Sequence, residues 1–387
     1  MRHIVCAALA ASTILAVSAT AFAQSKAPYR VALIAAKTGV LATVLGPAGT
    51  GFEAYIDTVN KAGGIDGRQI KLDLLDEQST PAVANGLFQR VLSDPPIAMA
   101  FFGQSTSQTQ SRQLLENAEL PVLTVTADDS FLYPKPTRTM FQLNVSATQQ
   151  AQAFVAMAEA KVGDLKGKTV ATASVQTTFS DAIIKAIEEI GKQKGFTVAT
   201  AERFPAGIPS FASQGAKIAR EAPAAVFVLS GNADGPLVIK AISDAGVTAA
   251  PIIGYVSISS NELFQKVALP NYYAFRSSNV ATDIPAVVEA MKGSPYAADM
   301  GNTWWASGWI TAYTLTEALK TCGEGCTGEK LIDTLETAGP VEIPDGLLFG
   351  PVHFTADNHA GLSKVQGYKW DGGKVVADGE PVQMGSD

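Results

Sequence analysis

From Arg30 onward the chain alternates short apolar runs with stretches of helical periodicity, and this alternation leaves few architectures open. Arg30–Ala35, Gln69–Leu75, Ile97–Phe102 and Pro121–Val125 read as buried strands. Between them Gly46–Lys61, Pro81–Leu92 and Thr106–Ala118 carry helical patterns, the first of them stopped by Gly63-Gly64. Continuous apolar strands separated by helices of about 10–15 residues form βαβ units. Such crossovers place helices on both faces of a parallel sheet.

The pattern then restarts. Ala147–Val162 is helical and Thr169–Val175 is an apolar strand. Asp181–Lys194 follows as an amphipathic helix, with Ile183, Ile187 and Ile190 on one stripe and Gly195 as its stop. Phe196–Ala201, Ala224–Leu229 and Ile252–Gly254 supply further strands, with helices at Phe211–Arg220 and Gly235–Asp244. One sheet is therefore expected over 28–143 and a second over 144–276. The remaining tail holds helices at Trp304–Lys320 and Gly328–Thr337 and short strands at Leu347–Phe349, Val352–Phe354 and Lys364–Trp370. It is too small to form a core of its own and is expected to return to both lobes. The expected organisation is two doubly wound α/β lobes joined by a hinge that the chain crosses several times. The first lobe comprises 24–143 plus 277–345, and the second 144–276 plus 346–387.

Residues 1–23 read as a leader. Arg2 and His3 are followed by an apolar run from Ile4 to Val17, and Ala21-Phe22-Ala23 supplies a small-x-small cleavage pattern before Gln24. The run is too short to span a bilayer comfortably. A cleaved secretory signal implies export to the periplasm. With Arg2 removed, the formal charge of −7 becomes −8, and no Lys/Arg cluster offsets it. That balance argues against nucleic acid as a partner. Only Cys322 and Cys326 remain after the leader, and in an oxidising compartment they are expected to form a small disulfide at a helix end. The alternative is a loose zinc pattern with His353 and His359, although the gap is long for a finger. The expectation is no metal and no cofactor.

Several blocks carry a family resemblance. Asn60-Lys61-Ala62-Gly63-Gly64-Ile65-Asp66-Gly67-Arg68, followed by Leu72-x-Leu74-x-Asp76, resembles the first helix-turn-strand of the leucine/isoleucine/valine-binding proteins of ABC importers. Gly103-Gln104-Ser105-Thr106-Ser107, Pro121-Val122-Leu123-x-x-Thr126-Ala127 and Gly308-Trp309-Ile310 through Glu317-Ala318-Leu319 agree in order and spacing. So do Val352-x-Phe354 and His359-x-Gly361. The resemblance implies the type I periplasmic binding fold, with a ligand cleft at the hinge and a membrane permease as partner. A monomer is expected.

Open α/β sheets bind ligands at the carboxyl ends of their strands, so the polar loops there are the candidate site. Ser105, Thr106 and Ser107 begin a helix, where hydroxyls either cap free N–H groups or hold a carboxylate against the positive end of the helix. The resemblance implies the carboxylate role for them and for Thr126 and Ala127. It also implies that Phe179 lies against the ligand, where the family often has Tyr, although burial at a helix start is the alternative. Asn232 and Tyr255 complete the candidates. In the loop after Gly254, amino-acid binders typically hold the ammonium with an acid, and Val256-Ser257 offers none. Asp128, Asp129 and Asp234 are the possible substitutes. A buried ammonium without a partner is costly, so the expected solute is a carboxylate with an apolar or aromatic body, with an apolar amino acid as the alternative.

Two remaining motifs have blander readings. Trp304-Trp305-x3-Trp309 has the spacing of a packing stripe rather than a stacking platform. Gly46 to Gly51 lacks the P-loop and dinucleotide patterns and reads as close helix packing. An exported hydrolase is the rival from another class. The chain has no Gly-x-Ser-x-Gly and no His-Glu-x-x-His, and its mature histidines lie in the tail. The expectation is no enzyme. A sensor subunit that presents ligand to a membrane receptor would share the fold.

Overall fold

The computed structural model describes residues 26–126 and 128–385; the leader assigned to 1–23 and Ala127 lie outside the described residues. Strands β1 (Tyr29–Ala35), β2 (Ile70–Asp76), β3 (Ala98–Phe102), β4 (Val122–Thr124) and β5 (Met140–Gln142) form one sheet. Its order is β2-β1-β3-β4-β5 and every pairing is parallel. β1 and β3 are nearly continuous apolar runs because helices cover both faces of the sheet.

The second sheet repeats the plan. β6 (Thr169–Val175), β7 (Thr197–Phe204), β8 (Ala225–Leu229), β9 (Ile252–Gly254) and β10 (Tyr272–Arg276) run parallel in the order β7-β6-β8-β9-β10. Antiparallel β11 (Lys364–Asp371) and β12 (Lys374–Ala377) extend its edge, and β13 (Val382–Gln383) pairs with β11. In each sheet the first strand lies between the second and the third. The loops leaving β1 and β3, and those leaving β6 and β8, therefore diverge to opposite faces and leave a crevice at the strand ends.

The chain passes between the sheets after β5, after β10 and again before β11. Hydrogen bonds gather these passages: Ser277 Oγ donates to Asn144 Oδ1 at 2.8 Å, and Gln149 Nε2 donates to the Leu362 carbonyl at 3.0 Å. The tail corrects one expectation. Gln142 bridges to Ala360, Val341 bridges to Val352, and the His359 ring stacks on Phe141 at 4.1 Å. Residues 352–360 thus complete the first lobe, so 346–387 is divided between the lobes rather than assigned whole to the second. The expected strands Leu347–Phe349 and Val352–Phe354 are reduced to isolated bridges.

The helix Thr303–Cys322 lies against the helix Ala42–Lys61 of the first lobe. Trp305 is fully buried and stacks on Trp309 at 5.2 Å, while Tyr55 meets Trp309 edge-on at 4.9 Å. The tryptophans are core packing at this interface. Cys322 and Cys326 are bonded to each other with S–S 1.98 Å, and His359 Nε2 faces Glu336 Oε1 at 3.1 Å. Three members of the loose zinc pattern, Cys322, Cys326 and His359, therefore have other partners. No helix among the described residues is long and apolar enough to cross a membrane.

Candidate binding cleft

A cleft of about 970 Å³ opens between the two sheets at the carboxyl ends of their strands. From the first lobe it is lined by Val40, Leu41 and Val44 after β1 and by Gln104, Ser105 and Thr106 after β3. From the second it receives Val175 to Thr178 after β6, Gly231 to Asp234 after β8, Arg203 at the end of β7, and Tyr255 after β9. The two topological crevices face one another across it.

Thr178 is the contact that joins them. Its Oγ1 lies 2.9 Å from Ser105 Oγ and 3.0 Å from Thr106 Oγ1, so three hydroxyls from both lobes converge at one point. Thr178 opens the helix Thr178–Lys194, whose N-terminus is capped by Thr177 Oγ1 accepting from the Ser180 amide at 3.1 Å. The helix's remaining first-turn amides and dipole add positive potential beside these hydroxyls. Hydroxyls and helix-start amides together suit a carboxylate.

The acids near the cleft already have partners. Asp181 is ion-paired with Arg203, both lining the cavity. Asp234 Oδ2 accepts the Gly207 amide at 2.9 Å, and the residue is buried. Asp128 accepts from Ser130, while Asp129 accepts the Ala147 and Thr148 amides at the start of the helix Ala147–Val162. Neither Asp128 nor Asp129 lines the cavity; among the three substitutes only Asp234 does. Burial pushes the Tyr255 phenol up, so it stays protonated.

The expected site residues divide. Ser105, Thr106, Asn232 and Tyr255 line the cleft. Ser107 does not: it is fully buried and its Oγ donates to Glu77 Oε2 at 3.3 Å. Thr126 also lies beneath the surface, with its hydroxyl donating to the Gly103 carbonyl at 2.7 Å. Phe179 is half-buried and packs against the core. It is the second residue of its helix, and one helical step turns a side chain by about 100°, so Thr178 rather than Phe179 meets the first lobe. Ala127 lies outside the described residues. The reading from sequence missed the apolar wall of Val40, Leu41 and Val44, the Arg203–Asp181 pair and Thr178. Their signal was position after β1, β6 and β7, which becomes informative once strand order is known.

Under the hydroxyls lies Glu77, fully buried, with Oε1 lacking a hydrogen-bond partner among the described residues. Gly103 makes room for it: a Cβ there would sit 2.5 Å from Phe101 Cζ and 2.9 Å from Glu77 Cδ. Burial raises the Glu77 carboxyl above its usual 4.5, against opposing hydrogen bonds from Ser107 and the Ser79 amide. The folded state therefore binds this proton more tightly than the unfolded chain. Stability on this account rises as pH falls from the raised folded value toward 4.5, and the buried charge is a cost at neutral pH. Glu77→Gln is expected to stabilise the protein at pH 7.5 by about 1 kcal/mol and to flatten the pH dependence. Melting curves of both proteins between pH 4.5 and 7.5 check this, and a lower midpoint for the variant at pH 7.5 would refute it.

A family model for periplasmic binding proteins matches residues 28–374. The chain belongs to the periplasmic binding protein family. Relatives of this binding protein include a Leu/Ile/Val-binding protein homolog 8 from Brucella suis biovar 1, 23% identical over 95% of this chain and 94% of the relative. The Leu/Ile/Val-binding protein BraC3 of Rhizobium johnstonii is 25% identical over 93% of this chain and 97% of its own length. Among solved structures, a branched-chain amino acid ABC transporter protein from Thermus thermophilus with bound valine superposes with TM-score 0.82 at 16% identity, covering 94% of this chain and 98% of that one. A fatty acid ABC transporter substrate-binding protein from Thermomonospora curvata gives TM-score 0.75 at 17% identity, covering 93% of each chain. The two lobes of this binding protein have the type I fold, and it is similar to the solute-binding subunits of branched-chain amino acid ABC transporters.

Proposed function

We propose that this binding protein captures a small carboxylate with an apolar or aromatic body and delivers it to the permease of an ABC importer in the periplasm. The observation that carries this reading is the convergence of Ser105 and Thr106 from one lobe with Thr178 from the other. A carboxylate held by these hydroxyls ties the lobes together, and its contacts with both favour the closed arrangement that a permease can recognise. The solute's body then packs on Val40, Leu41, Val44 and Val175. The chain carries no role for an enzyme in this scheme: binding and release suffice.

The solute class follows from the acids. Asp181 is neutralised by Arg203 and Asp234 accepts the Gly207 amide, so the cleft offers an ammonium at most one carboxylate, already engaged through one oxygen. The relatives' solutes named above, valine and fatty acid, share a carboxylate on an apolar body; the fatty acid lacks the ammonium. The second reading, an apolar amino acid, is favoured by Asp234, the one of the three substitute acids that lines the cleft.

A thermal-shift screen of refolded protein against aromatic acids, aliphatic acids, leucine and valine decides between them. A solute at 100 times its dissociation constant adds about 2.7 kcal/mol, a shift of several degrees. The expected result is a shift with the acids and none with the amino acids. A larger shift with leucine or valine would replace the first reading by the second.

A further inference from the structure

Glu77 is fixed beneath the loops that carry the cleft hydroxyls of the first lobe. Its amide donates to the Ala35 carbonyl at the end of β1 at 3.1 Å, and its own carbonyl accepts the Thr80 amide at 2.9 Å. Its side chain reaches under the loop after β3, into the room that Gly103 leaves, and Ser107 Oγ donates to its Oε2. The short helix Ser105–Gln110 therefore carries both Ser105, which lines the cleft, and Ser107, which holds Glu77. Two residues of chain span at most about 7.6 Å between Cα atoms. A carboxylate held by the Ser105, Thr106 and Thr178 hydroxyls then lies on the order of 10 Å from Glu77.

No countercharge shields this acid. Its Oε1 has no hydrogen-bond partner among the described residues, and the residue is fully buried. The charged side chains on the elements around it are Asp76 on β2 and Lys37 after β1. Asp76 has the same sign as Glu77 and accepts the Lys37, Thr38 and Gln78 amides. Lys37 is paired with Glu53 at 2.7 Å. Neither the loop after β3 nor the helix Ser105–Gln110 contributes a charge. Like charges about 10 Å apart, at an effective dielectric of about 20, oppose one another by about tenfold in an equilibrium constant.

We propose that capture of a carboxylate in the cleft is coupled to uptake of a proton by Glu77, so that this binding protein holds its solute more tightly as pH falls. The inference rests on the carboxylate reading above. It depends on where the carboxylate sits and not on the solute's body. Protonation of Glu77 removes the repulsion, and by reciprocity the bound carboxylate raises the proton affinity of Glu77 by the same factor. The proton comes from solvent and returns there when the solute leaves. Far above neutrality Glu77 stays charged in both states and affinity is lowest. As pH falls into the range where only the occupied protein is protonated, each binding event draws in a proton. Once the free protein is protonated too, the gain levels off.

Benzoate, hexanoate and leucine are the probes, since all three keep an ionised carboxylate between pH 5.5 and 7.5. Mature protein, refolded to remove bound solute, is titrated calorimetrically across that range in pairs of buffers with different ionisation enthalpies. The difference in heat within a pair counts the protons taken up. The expected result is uptake of up to one proton per solute, with binding up to about tenfold tighter at the acid end. Glu77→Gln should take up none and show no pH dependence, and at pH 7.5 it should bind up to about tenfold more tightly than wild type. Ser107→Ala withdraws a hydrogen bond that favours the charged form, so its window of uptake should move to higher pH; if Glu77→Gln fails to fold, this variant decides. Heat of binding without proton uptake in wild type overturns the inference alone. Uptake that persists in Glu77→Gln also overturns it, and assigns the proton to Asp181, Asp234 or the solute. An unmoved window in Ser107→Ala does the same. No heat from any of the three probes removes the carboxylate reading itself, and the inference with it.

Discussion

Gly308→Ala is expected to cost this protein about 3–5 kcal/mol, and to lower its melting midpoint by roughly 10 °C. The helices Ala42–Lys61 and Thr303–Cys322 touch backbone to backbone at two glycines. A Cβ on Gly308 would lie 1.8 Å from the Ala48 carbonyl oxygen and 2.9 Å from the Phe52 nitrogen. A Cβ on Gly51 would lie 2.0 Å from the Trp305 carbonyl oxygen. Neither obstacle is a side chain that can rotate away, so the helices must separate by more than an ångström. A gap of that size forfeits a quarter to a half of each dispersion contact along the seam. The seam holds Phe52, Trp305, Ala306 and Ala312, all fully buried, so the loss is multiplied over large side chains. Gly86 is the control. It sits inside the helix Pro81–Ser93, where a Cβ would meet nothing within 4 Å. Gly86→Ala should stabilise by about 0.5–1 kcal/mol through helix propensity alone. Urea unfolding followed by circular dichroism compares the two. A Gly308→Ala midpoint close to wild type would mean that the helices slide apart freely and that the close approach contributes little.

The same glycines show how far the sequence can be read. Gly46 to Gly51 follows a strand, and without phosphate-binding spacing it reads as close packing, which is where the fold uses Gly51. Its partner Gly308 cannot be inferred that way, because the contact joins residues far apart in the chain. Strand positions behave similarly. β1, β3, β6 and β8 are apolar runs bounded by helical segments and are visible directly. β5 is three residues and β10 holds a buried Arg276, so neither stands out as an apolar run. Side-chain direction is the finest level and the least accessible. Ser105 and Ser107 are two residues apart on one short helix, yet one lines the cleft and the other points to Glu77. Phe179 and Thr178 exchange roles for the same geometric reason. The acids are legible as letters, but only the folded chain separates Asp234, at the cleft, from Asp129, which is spent on a helix start.

Thr178→Val is expected to weaken solute binding by ten- to a hundredfold while leaving the fold intact. On the proposed closure mechanism the Thr178 hydroxyl gives a hydrogen bond to the solute's carboxylate, and bonds to charged groups contribute about 1.5–3 kcal/mol. Valine keeps the shape and removes only the hydroxyl's polarity. Thr178 is exposed at the first helical position, and the capping bond comes from Thr177, so the melting midpoint of the free protein should move little. Ser105→Ala, on the opposite lobe, tests whether the hydroxyls act together. Calorimetric titration of wild type, both single variants and the double variant, using the carboxylate with the largest thermal shift, gives the coupling between the lobes. Closure requires the double variant to lose less than the sum of the single losses, because either substitution alone already breaks the bridge. Thr178→Ser should restore most of the affinity. X-ray scattering adds the independent readout: wild type should contract on binding, and Thr178→Val should contract less at equal saturation. A dissociation constant within twofold of wild type for Thr178→Val would place the carboxylate away from this bridge. Additive losses in the double variant would mean that the solute is held by each lobe separately, and that closure follows from contacts elsewhere in the cleft.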